Sequence, residues 1–242
     1  MNSPKKGRSL VNKKRLSFFS PEDARTQKSV AVIGLGRFGQ SMALELMEDG
    51  AEVLGIDSDA SVVQQMNNRL SHVVRADATD PEVLEQLDVL DFDRIVVTIG
   101  NHLESSILVT SYLLRQGATN IWAKAVSDQH GVILQQLGVD KVVFPERDMG
   151  KRVAHLLQGG LKEYIQIDRN CVTVMSAAPQ SFVGQDVNTR ALLQKEGIAI
   201  TAVRDARGTW HHLPENFPVE EGDTILFSGT PQAVEQFSRN FL

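Results

Sequence analysis

The sequence holds a single cysteine, Cys171, among 242 residues. One thiol excludes an intrachain disulfide framework and a cysteine-based metal cluster, and so few cysteines are typical of a reducing compartment. No apolar run approaches the roughly 20 residues that cross a bilayer. The basic N-terminus lacks the apolar stretch of a signal peptide. We therefore expect a cytoplasmic chain without a membrane span.

Acidic residues are absent from the first 21 positions, although the whole chain has a formal net charge of −5. The same stretch carries the cations Lys5, Lys6, Arg8, Lys13, Lys14 and Arg15. We expect residues 1–28 to form a mostly disordered basic arm. Two interpretations of this arm stay open. It contacts an anionic lipid or another acidic surface, or it is a solvated tail without a partner. Basic and aromatic residues do not alternate as they do in a nucleic-acid site, so no nucleic-acid partner is expected.

The most informative segment is a glycine-rich turn between an apolar strand and a helix. Residues 30–39 read VAVIGLGRFG, and a second strand ends on Asp57 about twenty residues later. Gly34 allows a tight turn, Gly36 lets a pyrophosphate approach the backbone, and Gly39 lets the helix pack against the strand. The helix N-terminus offers free N–H groups to an anion, and Asp57 can accept hydrogen bonds from ribose hydroxyls. The combination predicts nucleotide binding.

Arg37 lies inside this loop, where dinucleotide-binding enzymes often have a small or apolar residue. A guanidinium there can bind a terminal phosphate through two hydrogen bonds. Arg37 therefore points to ATP or ADP as readily as to NAD. The alternative is a solvated surface arginine.

Short apolar strands alternate with helical segments as far as residue 144, which predicts an α/β fold with a doubly wound parallel sheet of about six strands. Right-handed crossovers place the ligand crevice at the carboxyl ends of the strands. A helix with an apolar face follows from Pro145 to about residue 158. Short strands then dominate, which predicts a small α+β domain. We expect domains at residues 29–160 and 161–242.

Four further residues extend the predicted site. Asp77 can accept a hydrogen bond from the adenine amine, although a helix-capping role competes with this interpretation. Lys124 ends the fifth strand. It is either a phosphate ligand or an ordinary lysine at the edge of the sheet. His130 opens the next helix and by itself favours a structural role. Glu146 follows Pro145 and either complements the helix dipole or helps to hold a divalent cation.

An NAD-dependent oxidoreductase is the main alternative, since a nucleotide-binding fold does not establish the function. The second domain lacks a convincing pair of proton-transfer residues. His211 and His212 form the one candidate pair, and we expect them to lie in a loop. No segment resembles a helix-turn-helix, which argues against a transcription regulator.

Five motifs together resemble the RCK family, whose members regulate potassium channels and transporters, and in particular its KtrA subfamily of cytosolic gating subunits. They are GLGRFG at 34–39, ID ending at Asp57, ADAT at 76–79, AKA around Lys124 and FPE ending at Glu146. The resemblance covers residues 29–242 and makes the second domain similar to a TrkA-C domain. It implies that the protein is a regulatory subunit and has no catalytic residues.

The resemblance also implies ligand contacts. Arg37 would meet the outer phosphates of ATP or ADP, with NAD or NADH as the alternative, and Phe38 in the same loop would also belong to the nucleotide site. Asp57 and Ser58 would bind ribose, and Asp77 and Ala78 adenine. The remaining implied site residues are Ile99, Gly100, Asn101, Lys124, His130 and Glu146, the last of which would share Mg²⁺ or Ca²⁺ between subunits.

The resemblance further implies an assembly and a place in the cell. The chain would form a homo-oligomer, an octameric ring of dimers. The ring would bind a membrane potassium-translocating subunit (KtrB-like) as a peripheral protein on the inner face of the plasma membrane.

Overall fold

The computed structural model describes residues 28–157 and 160–242, which fall into two compact units that meet between Pro145 and Glu146. The predicted basic arm lies outside the described residues except for Lys28. By contacts, the helix that begins at Pro145 groups almost entirely with the second unit. The domain boundary that we expect near residue 160 would place this helix in the first domain instead. That boundary stays a prediction.

The first unit alternates strands and helices, as the apolar periodicity predicts. Its strands are β1 (Ser29–Ile33), β2 (Glu52–Asp57), β3 (His72–Arg75), β4 (Arg94–Val97), β5 (Ile121–Lys124) and β6 (Lys141–Val143). Its helices are α1 (Arg37–Glu48), α2 (Ala60–Met66), α3 (Pro81–Gln86), α4 (Leu103–Arg115) and α5 (Asp128–Leu137). A short 3₁₀ turn (Val89–Asp91) precedes β4.

These six strands form one parallel sheet in the order β3-β2-β1-β4-β5-β6. One face of the sheet packs on Ala43 and Met66 of α1 and α2. The other face packs on Leu84, Val109 and Leu134 of α3, α4 and α5. The doubly wound fold is thereby confirmed, and the strand order reverses between β1 and β4, where such sheets form a ligand crevice.

The second unit is a mainly antiparallel α+β domain. It contains α6 (Pro145–Leu157), β7 (Leu161–Gln166), β8 (Val172–Ala177), β9 (Asp186–Asn188), α7 (Thr189–Glu196), β10 (Ala199–Arg204), β11 (Trp210–His212), β12 (Asn216–Pro218), β13 (Thr224–Gly229) and α8 (Pro231–Phe241). Five strands form a sheet in the order β11-β10-β13-β8-β7, and β12 pairs with β9. The core centres on Phe227 and Phe237, whose rings meet edge to face at 5.1 Å.

The expected loop at His211 and His212 is wrong, because these residues belong to edge strand β11, which pairs with β10. Nε2 of His211 lies 2.9 Å from Oδ2 of Asp205, and this contact helps to close the hairpin. All three β11 residues are exposed. The strand therefore lacks the alternation of buried and exposed side chains that reveals a strand in sequence.

Side-chain contacts attach helix α6 to β7 of the second unit. Arg152 Nε donates to Glu163 Oε1 at 2.8 Å, and the His155 ring stacks on Tyr164 at 3.9 Å between centroids. The hydrogen bond with Arg152 lowers the pKa of Glu163. Both contacts join α6 to β7, which accounts for the grouping of this helix.

Candidate functional site

A cavity of about 590 Å³ lies at the carboxyl ends of the strands of the first unit, beside the reversal between β1 and β4. It brings together every predicted site residue except Gly39, His130 and Glu146. The predicted residues that line it are Gly34, Gly36, Arg37, Phe38, Asp57, Ser58, Asp77, Ala78, Ile99, Gly100, Asn101 and Lys124. Segments far apart in sequence therefore converge on one site.

The turn from β1 to α1 fits closely against the end of β4. Gly34 has a φ of +96°, a left-handed conformation that favours glycine, and a Cβ there would lie 3.0 Å from Ile99 N. A Cβ on Gly39 would lie 2.2 Å from Gly34 O and 2.8 Å from Thr98 Oγ1. Thr98 Oγ1 also donates to Gly34 O. The first and third glycines of the motif are thus required by the protein's own packing.

The middle glycine, Gly36, is different. Its backbone is extended, with φ −65° and ψ −179°, and a Cβ there would meet no described atom within 4 Å. The protein's own packing therefore does not require a glycine at this position. Because Gly36 lines the cavity, the open space beside it lets a ligand approach the backbone.

The N-terminus of α1 is prepared for an anion. Among the described residues no side chain caps α1, and its first turn carries no acid. Helices α2, α3 and α5 are each capped by a side chain, from Asp59, Asp80 and Ser127 respectively. The free N–H groups and positive dipole end of α1 thus meet the cavity without an internal competitor.

Two cationic side chains line the cavity. Arg37 is exposed and has no hydrogen bond or ion pair within residues 28–157 and 160–242. Lys124 is only 8% exposed, and its Nζ lies 5.9 Å from the centroid of the Phe38 ring. A Cβ on Gly100 would lie 3.4 Å from the same Nζ. Lys124 is therefore held between the β1–α1 and β4–α4 turns, whereas Arg37 is free to reorient.

Both carboxylate oxygens of Asp57 accept backbone hydrogen bonds. Oδ2 accepts from Leu35 N at 2.6 Å and Oδ1 from Asp59 N at 2.8 Å. Asp57 therefore also fixes the glycine-rich turn, a role that sequence reasoning missed because no local pattern encodes a bond across 22 residues. Arg75 Nε donates to Ser58 O at 3.2 Å and secures the neighbouring segment.

Asp77 forms a turn of its own. Its Oδ1 accepts from Thr79 Oγ1 at 2.7 Å and from Thr79 N at 2.9 Å, and these bonds lower the pKa of Asp77, with the hydroxyl contributing most. Asp80, through Glu82 N, caps α3, so the capping alternative for Asp77 is wrong. Asp77 Oδ2 has no hydrogen bond to any described residue, which leaves an ionised acceptor for a donor group on a ligand.

His130 and Glu146 do not line the cavity. His130 is fully buried at the start of α5, and burial lowers its pKa. Glu146 lies in the first turn of α6, in the second unit. Within the described residues no group of three or more His, Cys, Asp or Glu side chains can hold a metal ion. One carboxylate falls far short of the oxygen shell of Mg²⁺ or Ca²⁺, so the cation predicted at Glu146 stays a prediction.

Several other residues of the site were missed in the sequence. Gln40 lines the cavity and its Nε2 donates to Leu35 O at 2.8 Å, which braces the turn from the first helical turn of α1. His102 and Ser105 line the cavity from the N-terminal end of α4. Their positions just after β4 are the one signal that could have indicated them, because the ends of parallel strands share one crevice.

Residues 30–145 match the model of the TrkA-N domain. The chain is 32% identical over 217 residues to the Ktr system potassium uptake protein C of Bacillus subtilis (strain 168), a match that covers 89% of this chain and 98% of that protein. The chain belongs to the RCK family of Ktr-type potassium uptake proteins. The Ktr system potassium uptake protein A of the same strain is also 32% identical to this RCK chain, over 221 residues that cover 87% of this chain and 95% of that protein.

A solved structure of the GsuK channel bound to NAD has a TM-score of 0.60 to this RCK chain at 17% identity. The match covers 87% of this chain and 38% of that chain, so this RCK chain spans well under half of the GsuK chain. The likeness shows the fold. Among the described residues, no helix is both long enough and apolar enough to cross a membrane.

Proposed function

We propose that this RCK chain is a nucleotide-sensing regulatory subunit that gates a membrane potassium transporter. The observation that carries the proposal is the cavity of the first unit, in which an uncapped helix, a glycine without a packing role and two cations adjoin an aspartate at the end of β2. Similarity to two Ktr system potassium uptake proteins over nearly their whole length supports potassium transport as the regulated process.

The proposed ligands are ATP and ADP. The free guanidinium of Arg37 supports them, because a terminal phosphate offers it an additional charged partner. Lys124 lines the same cavity and would neutralise the inner phosphates. NAD or NADH is the alternative, and the NAD bound to the GsuK channel favours it as a ligand.

The other end of the cavity would hold the nucleoside. Asp57 and Ser58 would contact ribose, and Asp77 with Ala78 would contact adenine. Asp77 Oδ2 supports this assignment, because an ionised oxygen without a partner among the described residues can accept from the exocyclic amine. Ile99, Gly100 and Asn101 would line the wall between the two ends.

Gating needs a nucleotide that binds two protein shapes with different affinities, since tight binding alone shifts no equilibrium. We place this difference at the outermost phosphate. The chain would act as an octameric ring of dimers on a KtrB-like subunit at the cytoplasmic face of the membrane. Three large side chains of α6, Met149, Val153 and Leu157, are exposed and would be covered by assembly.

A divalent cation would complete the phosphate end, with oxygen ligands from the nucleotide and from Glu146 of two subunits. The protein would use the nucleotide as a signal and would not catalyse its conversion. An oxidoreductase would need proton-transfer residues beside the cofactor, whereas the paired His211 and Asp205 lie in the second unit and do not line the cavity.

Calorimetric titration of the purified chain with ATP, ADP, NAD and NADH tests the proposal. We expect micromolar or tighter binding of ATP and ADP, with different effects of the two on potassium flux in vesicles that contain the membrane subunit. Turnover of NAD or NADH in the presence of small alcohols or acids would support the oxidoreductase. Absence of binding by all four nucleotides would refute nucleotide sensing.

A further inference from the structure

His130 contacts the segment between β5 and α5 rather than the cavity. The imidazole Nδ1 accepts a hydrogen bond from Val126 N at 3.4 Å. The backbone N–H of His130 donates to Ser127 Oγ at 3.1 Å. Because Val126 N is a fixed donor, a neutral imidazole here carries its proton on Nε2. The lowered pKa, caused by burial, keeps the ring neutral near pH 7.

The same segment carries the buried cation of the site. Lys124 ends β5 and lines the cavity, and residues 125–127 join it to α5. A Cβ on Gly100 would lie 3.4 Å from Lys124 Nζ and 3.6 Å from Val126 Cγ1. The segment thus packs against Gly100 of the β4–α4 turn, which lines the cavity.

Burial of the imidazole does not favour folding by itself. His130 is fully buried, and its Nε2 has no hydrogen-bond partner among the described residues. A buried N–H without a partner is costly, and an aliphatic side chain of similar size would avoid that cost. The fold thus does not require an imidazole here, whereas the Val126 amide, in a residue that is 46% exposed, gains from it a fixed orientation.

We infer that His130 is a positioning residue, which orients the β5–α5 segment through Val126 N and so sets the place of Lys124 at the phosphate end of the cavity. The inference rests on the proposed nucleotide site and adds to it a residue that acts without touching the ligand. Asparagine and glutamine separate the two ring nitrogens, because asparagine places its oxygen near Nδ1 and glutamine places its amide near Nε2.

The test measures ATP affinity by calorimetry and the melting temperature without ligand, for His130→Leu, His130→Gln and His130→Asn. We expect Leu and Gln to weaken ATP binding about three- to tenfold, the range for one net hydrogen bond. The Leu variant should melt at or above the parent temperature. Asn should restore most of the affinity. His72→Leu, in the partly exposed first residue of β3 outside the cavity, is the matched control and should bind like the parent.

A double-mutant cycle with Lys124→Met identifies the route. If His130 acts through the lysine, His130→Leu should cost less than twofold in affinity once Lys124→Met is present. Equal losses in both backgrounds, or a His130→Leu variant that binds normally, would overturn the inference while leaving the nucleotide site intact. Failure of the parent chain to bind any nucleotide would refute the proposed function instead.

Discussion

Replacing Gly36 with alanine should weaken nucleotide binding about tenfold or more while leaving the fold almost unchanged. The backbone at Gly36 suits any residue, and the added methyl group would meet no described atom within 4 Å. A compatible Gly→Ala change gains about 0.4–1 kcal/mol by restricting the unfolded chain. Loss of a glycine at the N-cap costs a few tenths to about 1 kcal/mol. The free energy of unfolding should therefore change by less than about 1 kcal/mol.

The effect on the ligand should be much larger. The methyl group would occupy the space through which a phosphate reaches the N–H groups of α1. Loss of one charged hydrogen bond costs about 1.5–3 kcal/mol, which corresponds to about a tenfold or greater increase in Kd for ATP. Urea unfolding and calorimetric titration of the same preparation measure both quantities.

Two matched glycine variants make the experiment specific. Gly39→Ala places a Cβ 2.2 Å from Gly34 O, so it should lower stability by about 1–3 kcal/mol or more as well as weaken binding. Gly150→Ala lies in α6 of the second unit, where the added Cβ would meet no described atom beyond the backbone of its own helix within 4 Å, and should leave ATP affinity unchanged. A Gly36→Ala chain that binds ATP within twofold of the parent would refute phosphate approach at this turn.

Four further predictions concern the ligand, the metal and the assembly. Arg37→Ala should weaken the binding of ATP more than that of ADP in competition titrations. Equal losses of affinity for the two nucleotides would contradict phosphate sensing. Asp57→Ala should weaken the binding of every adenine nucleotide by about 1–3 kcal/mol. It should also speed hydrogen exchange of Leu35 N, because that amide loses its acceptor. Normal nucleotide binding by this variant would exclude the ribose contact. Stabilisation by Mg²⁺ or Ca²⁺ in thermal melts should require nucleotide and disappear in Glu146→Gln, and its persistence would place the cation elsewhere. Light scattering should show a homo-oligomer larger than a dimer, with X-ray scattering that differs between ATP and ADP, and a monomer or identical profiles would exclude a gating ring.

The fold of the first unit could be predicted because its signals are local. The alternation of apolar strands with helical segments predicts the doubly wound parallel sheet of six strands that the structure has. The buried strands of the parallel sheet form continuous apolar runs. In the second unit β9 and β12 are three-residue strands that pair with each other. Strands that short have no period to detect, so they were not anticipated.

The convergence of the site residues could also be predicted, because the position of each follows from its place at a strand end. Bonds between distant segments could not. The Leu35–Asp57 bond is one case. His130 is another, because its position by itself favours a structural role and the family resemblance implies a place near the nucleotide, whereas the structure directs its ring to Val126 N. The direction in which a side chain points at such a position depends on tertiary packing, which overrides local sequence preference.

The contrast between Asp57 and Arg37 has a consequence for selectivity. Asp57 already engages both oxygens with backbone amides, so the ribose end of the cavity is organised before any ligand arrives. Little ordering entropy would then remain to be lost there on binding, and we expect that end to bind all adenine nucleotides alike. The exposed Arg37 side chain would lose rotamer entropy when it binds a phosphate. A nucleotide with fewer phosphates would offset less of that entropy loss. In the proposed site, one end of the cavity would thus recognise adenine nucleotides as a class, and the other would distinguish them by the number of phosphates.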